Sequence, residues 1–126
     1  MLITETAPQQ AEHFEWLNAI DFYNSYLEII RDRIDALNGL DHSVQLEQKK
    51  SQFEEKLELL RERLSELSMD VSGHIEEIET EPIFENRLNI TLQSAHHMGL
   101  RENFENFELD LNEFRAAFNE FYVRCI

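Results

Sequence analysis

Apolar residues in the first third of the chain recur at Trp16, Ile20, Tyr23, Leu27, Ile30, Ile34 and Leu37, at spacings that alternate between four and three. That repeat places one face of an α-helix against a partner helix and is the seam of coiled-coil-like packing. The far side is polar at Asn18, Asp21, Ser25, Glu28, Asp32 and Asp35. Thr6-Ala7-Pro8-Gln9 resembles a capping box with proline in the first turn. Gly39 predicts a stop in the left-handed conformation that glycine adopts without strain. A helix is expected over about 7–38.

Asp41 or Ser43 is placed to cap a second helix, about 42–80. Its seam is Leu46, Phe53, Leu57, Leu60, Leu64, Leu67, Val71, His74 and Ile78, with Gly73 as a weak point. Glu58 with Arg61, and Arg63 with Glu66, form expected i,i+3 pairs. Pro82 opens a third stretch. One seam runs through Ile83, Asn86, Ile90, Gln93, His97, Leu100, Phe104, Phe107, Leu111, Phe114, Phe118, Phe121 and Cys125. A rival stripe of Phe84, Leu88, Thr91, Ala95 and Met98 is more apolar at first and gives way at Gly99. This predicts either one helix kinked near Gly99 or two helices, about 82–98 and 100–124.

Three long amphipathic segments joined by short connections predict an all-α chain, with 1–126 as a single domain. The expected architecture is an elongated up-down-up three-helix bundle with coiled-coil-like packing. A break at Gly99 would give a four-helix variant. The first helix carries more apolar surface than its seam requires: Phe14, Leu17, Phe22, Tyr26 and Ile29 are candidate interface residues for a second copy or a protein partner. The phenylalanines of 104–121 read as core filling, since no polar group placed for a ligand flanks them.

Charge narrows the function classes. There are 26 acidic against 11 basic residues, a net charge of −15. Nucleic acid and anionic membranes are disfavoured, because both are bound through clustered Lys and Arg. The acid-only stretches 70–86 and 102–113 form a solvated face or a docking surface for a basic partner. No apolar run is long enough to span a membrane, and the opening residues lack a signal-peptide pattern, so a cytoplasmic location is expected. A single cysteine, Cys125, permits no internal disulfide and lacks a positioned base. No phosphate loop or nucleophile elbow is present, so a non-enzymatic role is expected.

The histidines carry the candidate chemistry. His13 extends the first seam, His74 occupies the second and His97 the third. The fold-back register puts His13 and His97 in the layer of Leu67, with His74 about one heptad, roughly 10 Å, further out. Glu77, three residues after His74, is the natural carboxylate companion, and Glu12 or Glu76 an outer acceptor. Such a set suits zinc or another first-row divalent metal. Set against it are hydrogen-bonded boundary histidines with no cofactor, and a patch that gains charge near pH 6. His42 and His96 are expected to face solvent.

His13-x-x-Trp16-Leu17 followed by Phe22-Tyr23, His74 late in a long second helix, and His97-x-x-Leu100-Arg101-Glu102 opening a Phe-rich last helix carry a resemblance. Over about residues 12–122 the chain resembles a family of small, coiled-coil-like helical-bundle proteins from Bacteroidetes-type bacteria that has no assigned activity. The chain departs from that pattern at Tyr26, where the resemblance implies an acidic residue. The resemblance implies the helical fold and draws attention to His13, His74 and His97. The leading functional reading is a non-enzymatic acidic helical protein that acts by self-association or partner binding. A metal-binding helical bundle is the alternative, and a small acidic chaperone holding amphipathic segments is a further one.

Overall fold

The computed structural model describes residues 7–40, 43–80 and 87–126, with side chains over 8–40, 43–78 and 95–126. It is all-α: α1 spans Ala7–Leu37, α2 Val44–Thr80 and α3 Arg87–Cys125. Thr6, Asp41, His42 and Pro82, and the predicted start of the third helix, lie outside the described residues.

The seams read from the sequence are the buried faces. Trp16, Ile20, Leu27, Ile30, Ile34 and Leu37 are buried on α1, and Leu57, Leu60, Leu64, Leu67 and Val71 on α2. From α3 come Leu100, Phe104, Phe107, Leu111, Phe114, Phe118 and Phe121. All belong to one cluster, with Tyr23, Leu46 and Phe53 packed against it. Fully burying one such side chain stabilises by about 1.5–3 kcal/mol. Lys50 fills the gap in the second seam between Leu46 and Phe53. It is buried, and its ammonium donates to Asn38 and pairs with Glu47 at 3.0 Å.

Ser43 caps α2: its Oγ accepts the Leu46 N–H at 3.3 Å, and its carbonyl accepts from Glu47. The end of α1 differs from expectation. Gly39 has no positive φ. Instead the chain closes tightly, with Asn38 N–H donating to Asp35 C=O and Leu40 N–H to Leu37 C=O. Three-residue turns of this kind satisfy terminal carbonyls without a left-handed residue.

Gly73 and Gly99 both lie inside continuous helices, so the expected break at Gly99 and the four-helix variant are corrected. An interior glycine costs about 1 kcal/mol. Burial of His97 and Leu100 on either side of Gly99 offsets that cost. At this point the continuous seam faces inward, while Ala95 and Met98 of the rival stripe are exposed. The earlier parts of both stripes lie outside the described side chains.

Charged groups tie the helices along their flanks. Arg31 pairs with Glu58, Arg61 with Glu28 at 2.6 Å, and Arg63 with Asp110 at 2.6 Å. Arg63, expected to pair with Glu66 within its own helix, thus reaches across to α3. Arg61 keeps a long 4.0 Å contact with Glu58 and a closer one across helices. Tyr23 donates to Glu108, and burial together with that acceptor pushes its phenol up to about 12. The acidic stretch 102–113 is therefore partly engaged in helix contacts.

Candidate metal centre

Each helix sends one imidazole inward. His74 and His97 are fully enclosed, and His13 is 7% exposed. The ring centroids lie 5.1 Å apart for His13 and His97, 5.3 Å for His13 and His74, and 5.7 Å for His74 and His97. One ring nitrogen from each can be chosen so that all three lie within 4.8 Å of one another.

His74 is thus one layer closer than expected. The connection after Leu37 carries the chain past the end of α1, so Lys50, well inside α2, meets Asn38. Glu28 meets Arg61 in the same register. The register moves by about a heptad, and residue 74 rather than 67 faces His13.

His13 Nε2 and His97 Nδ1 are 3.2 Å apart. Two imidazole nitrogens on one tetrahedral zinc, each at about 2.0–2.1 Å, are separated by about 3.3 Å. The same distance suits an N–H···N hydrogen bond in the metal-free protein, so for this pair loading an ion requires a proton shift and little movement of the two rings.

His97 turns its other nitrogen, Nε2, toward Glu12 Oε1 at 3.4 Å. Arg101 grips Glu12 through Nε at 2.9 Å and through Nη2. The guanidinium hydrogen bond holds the Glu12 carboxyl below its ordinary value, against the opposing effect of desolvation and with His97 assisting. A carboxylate accepting from the far N–H of a histidine fixes its tautomer and leaves the inward nitrogen unprotonated, as metal ligation requires. Of the two acceptors expected from the sequence, Glu12 takes this place. Trp16 walls the group, its ring 4.9 Å from His97 and 5.7 Å from His13.

The predicted four residues do not form one set. Glu77 belongs to a second group with His74 and His96, again with ligand atoms within 4.8 Å of one another. His96 is exposed, as expected, and in addition has its Nδ1 3.0 Å from His74 Nδ1 and 3.6 Å from Glu77 Oε2. The sequence signal was the His96-His97 pair: a residue next to a seam position lies about 100° round the helix, at the edge that a neighbouring helix borders. Arg101 also escaped seam reasoning; its signal is its place one turn after His97.

The candidate interface residues divide. Leu17 and Tyr26 pack against the core, and the Tyr26 hydroxyl is enclosed with no hydrogen-bond partner among the described residues. Phe14, Phe22 and Ile29 are exposed, the first two at 72% and 63%. Burial and the nearby Glu47 raise the Cys125 thiol, which keeps it protonated. No helix among the described residues is long and apolar enough to cross a membrane. No protein-family model, no curated protein and no solved structure matches this chain.

Proposed function

We propose that this chain is a metal-binding helical protein that holds one first-row divalent ion, zinc in the first instance, between His13, His74 and His97. The observation that carries the proposal is the convergence of three buried imidazoles, one from each helix, with ligand atoms within 4.8 Å of one another. Imidazole nitrogens suit zinc, copper, iron and nickel, and three of them leave a fourth position to water or another donor. Burying polar nitrogens at positions that elsewhere take Leu or Phe is costly unless they are satisfied. An ion would take the place of contacts that these nitrogens make in the metal-free protein, such as that of His13 with His97, while Glu12 and Arg101 supply the outer support. The role is binding rather than catalysis.

The supporting architecture is an up-down-up bundle with coiled-coil-like seams. Contacts such as Glu28 with Arg61 and Arg31 with Glu58 favour an antiparallel α1–α2 pair. Tyr23 with Glu108 and Glu12 with Arg101 favour a parallel α1–α3 pair.

The test is equilibrium dialysis of metal-free protein against zinc chloride, followed by elemental analysis. The expected result is about one tightly held zinc per chain that disappears in His97→Phe. Protein that retains no metal after dialysis ends the proposal. A second reading, self-association through α1, draws on the exposed Phe14 and Phe22. It predicts a dimer in sedimentation equilibrium that Phe14→Ser with Phe22→Ser dissociates; a monomer at high micromolar concentration removes it.

A further inference from the structure

His74 belongs to two groups of different exposure. It is fully buried beside His13 and His97, while its partners in the second group are open to water: His96 is 42% and Glu77 57% exposed at the side chain. We propose that His96 and Glu77 are the loading port of the buried triad, capturing a hydrated divalent ion and passing it inward through His74. This rests on the metal-binding reading above.

A divalent ion does not enter a dry interior bare. It exchanges its waters one at a time for ligands that replace their stabilisation. Glu77 Oε2, His96 Nδ1 and His74 Nδ1 form such a series, with steps of 3.6 and 3.0 Å from the surface to a fully buried ring. The carboxylate takes an ion that still carries water, and the imidazoles take it as water leaves. The field of the surrounding acids, with Asp70 and Glu76 on the same helix and a net charge of −15, concentrates cations there.

A second approach exists on the other side of His13. An open cavity of about 460 Å³ is lined by Gln10, His13, Phe14, Leu17, Ile75 and Ile78. Its walls are mostly apolar, so an ion crossing it would lose water with few donors in exchange. The port through His96 has ligands along its whole length.

The experiment mixes the metal-free full chain with zinc chloride in stopped flow, using a chromophoric zinc chelator as competitor. Cobalt chloride provides an independent absorption signal. The variants are His96→Gln, Glu77→Gln and the pair. Both side chains are exposed, so the fold is expected to survive, and circular dichroism checks it. Because a port acts on passage more than on holding, the pair should slow uptake and release about tenfold or more, while the equilibrium affinity moves by a smaller factor through the lost contact of His96 with His74.

Equal rates in variant and wild type overturn the port and leave the buried site standing. Weakened affinity with unchanged uptake makes His96 and Glu77 part of the resting site and also overturns the port. A wild type that binds neither zinc nor cobalt overturns both proposals together. His97→Phe separates the two further: it should abolish binding with the port intact.

Discussion

Two regions of the same helices use one packing rule with opposite chemistry. Around Phe53 of α2, the rings of Phe114, Phe118 and Phe121 from α3 stand at 5.8, 5.6 and 4.9 Å. Around His13 of α1, the rings of His74 and His97 stand at 5.3 and 5.1 Å. In both, flat rings fill a gap between helices at seam positions. The phenylalanine layer holds by excluding water and by ring contact alone. The histidine layer has the same shape but brings nitrogens that must find partners. The first region is explained once it is packed; the second also needs polar contacts, such as those of His13 with His97 and of His74 with His96.

The sharpest way to break the comparison is to remove one ring from each layer. Phe118→Ala deletes a fully buried side chain and should cost about 3–5 kcal/mol in a urea unfolding series. His97→Phe keeps the ring. In metal-free protein it adds bulk at a fully enclosed position and removes the contacts to His13 and Glu12, so it should cost about 1–3 kcal/mol, less than the loss of a whole ring. A loss as large as that of Phe118→Ala would mean that the imidazoles are structural hydrogen-bonding groups and not ligands in waiting.

Zinc should next separate the layers thermodynamically. An ion that binds only the folded chain stabilises it by about 2.7 kcal/mol at a free concentration of a hundred times its dissociation constant. That gain should appear in wild type and in Phe118→Ala, and vanish in His97→Phe. Equal gains in all three would place the ion away from the triad.

The phenylalanine layer and the seams were legible in the sequence because periodicity and burial are one signal. Trp16 to Leu37 and Leu57 to Val71 lie buried where their spacing put them. The histidine layer was legible in membership and not in register. Spacing within a helix says which side a residue faces. The length of chain spent in the connection at 38–43 decides what it faces, and this moved His74 inward by a layer. His96 is exposed as its position predicted, and its contact with His74 was hidden for a related reason: a residue at the edge of a face is assigned to water alone unless the neighbouring helix is known to border it. Gly99 misled in the other direction, because propensity is a local cost that flanking burial overrode.

Glu12 allows a finer test of the histidine side. Removing an outer carboxylate that supports a ligating histidine typically weakens metal binding about 10–100-fold. Glu12→Gln should do so at neutral pH and leave the phenylalanine layer untouched. In the metal-free protein the sign with pH is fixed. The Arg101 hydrogen bond lowers the folded-state pKa of Glu12 below its ordinary 4.5. Its contribution is therefore present above the ordinary value and is lost as pH falls through the lower folded one. Wild type and Glu12→Gln should differ in stability at pH 7 and converge in strong acid. A gap that persists there would assign the effect to packing of the side chain.

The smallest effect concerns backbone rather than rings. The interior glycines Gly73 and Gly99 lie one residue before His74 and two after His97, so both flank the histidine layer. A methyl group added at either position meets no atom within 4 Å, and neither glycine has a positive φ. Ala should then stabilise by about 0.5–1 kcal/mol at each site, through better helix propensity and a less free unfolded chain. If both variants gain stability and exchange zinc at the wild-type rate, the glycines are neutral passengers beside the site. If they gain stability and exchange zinc more slowly, local looseness of the helices near His74 and His97 helps the ion move. In that case the histidine region gives up stability for exchange, as the phenylalanine region has no reason to do.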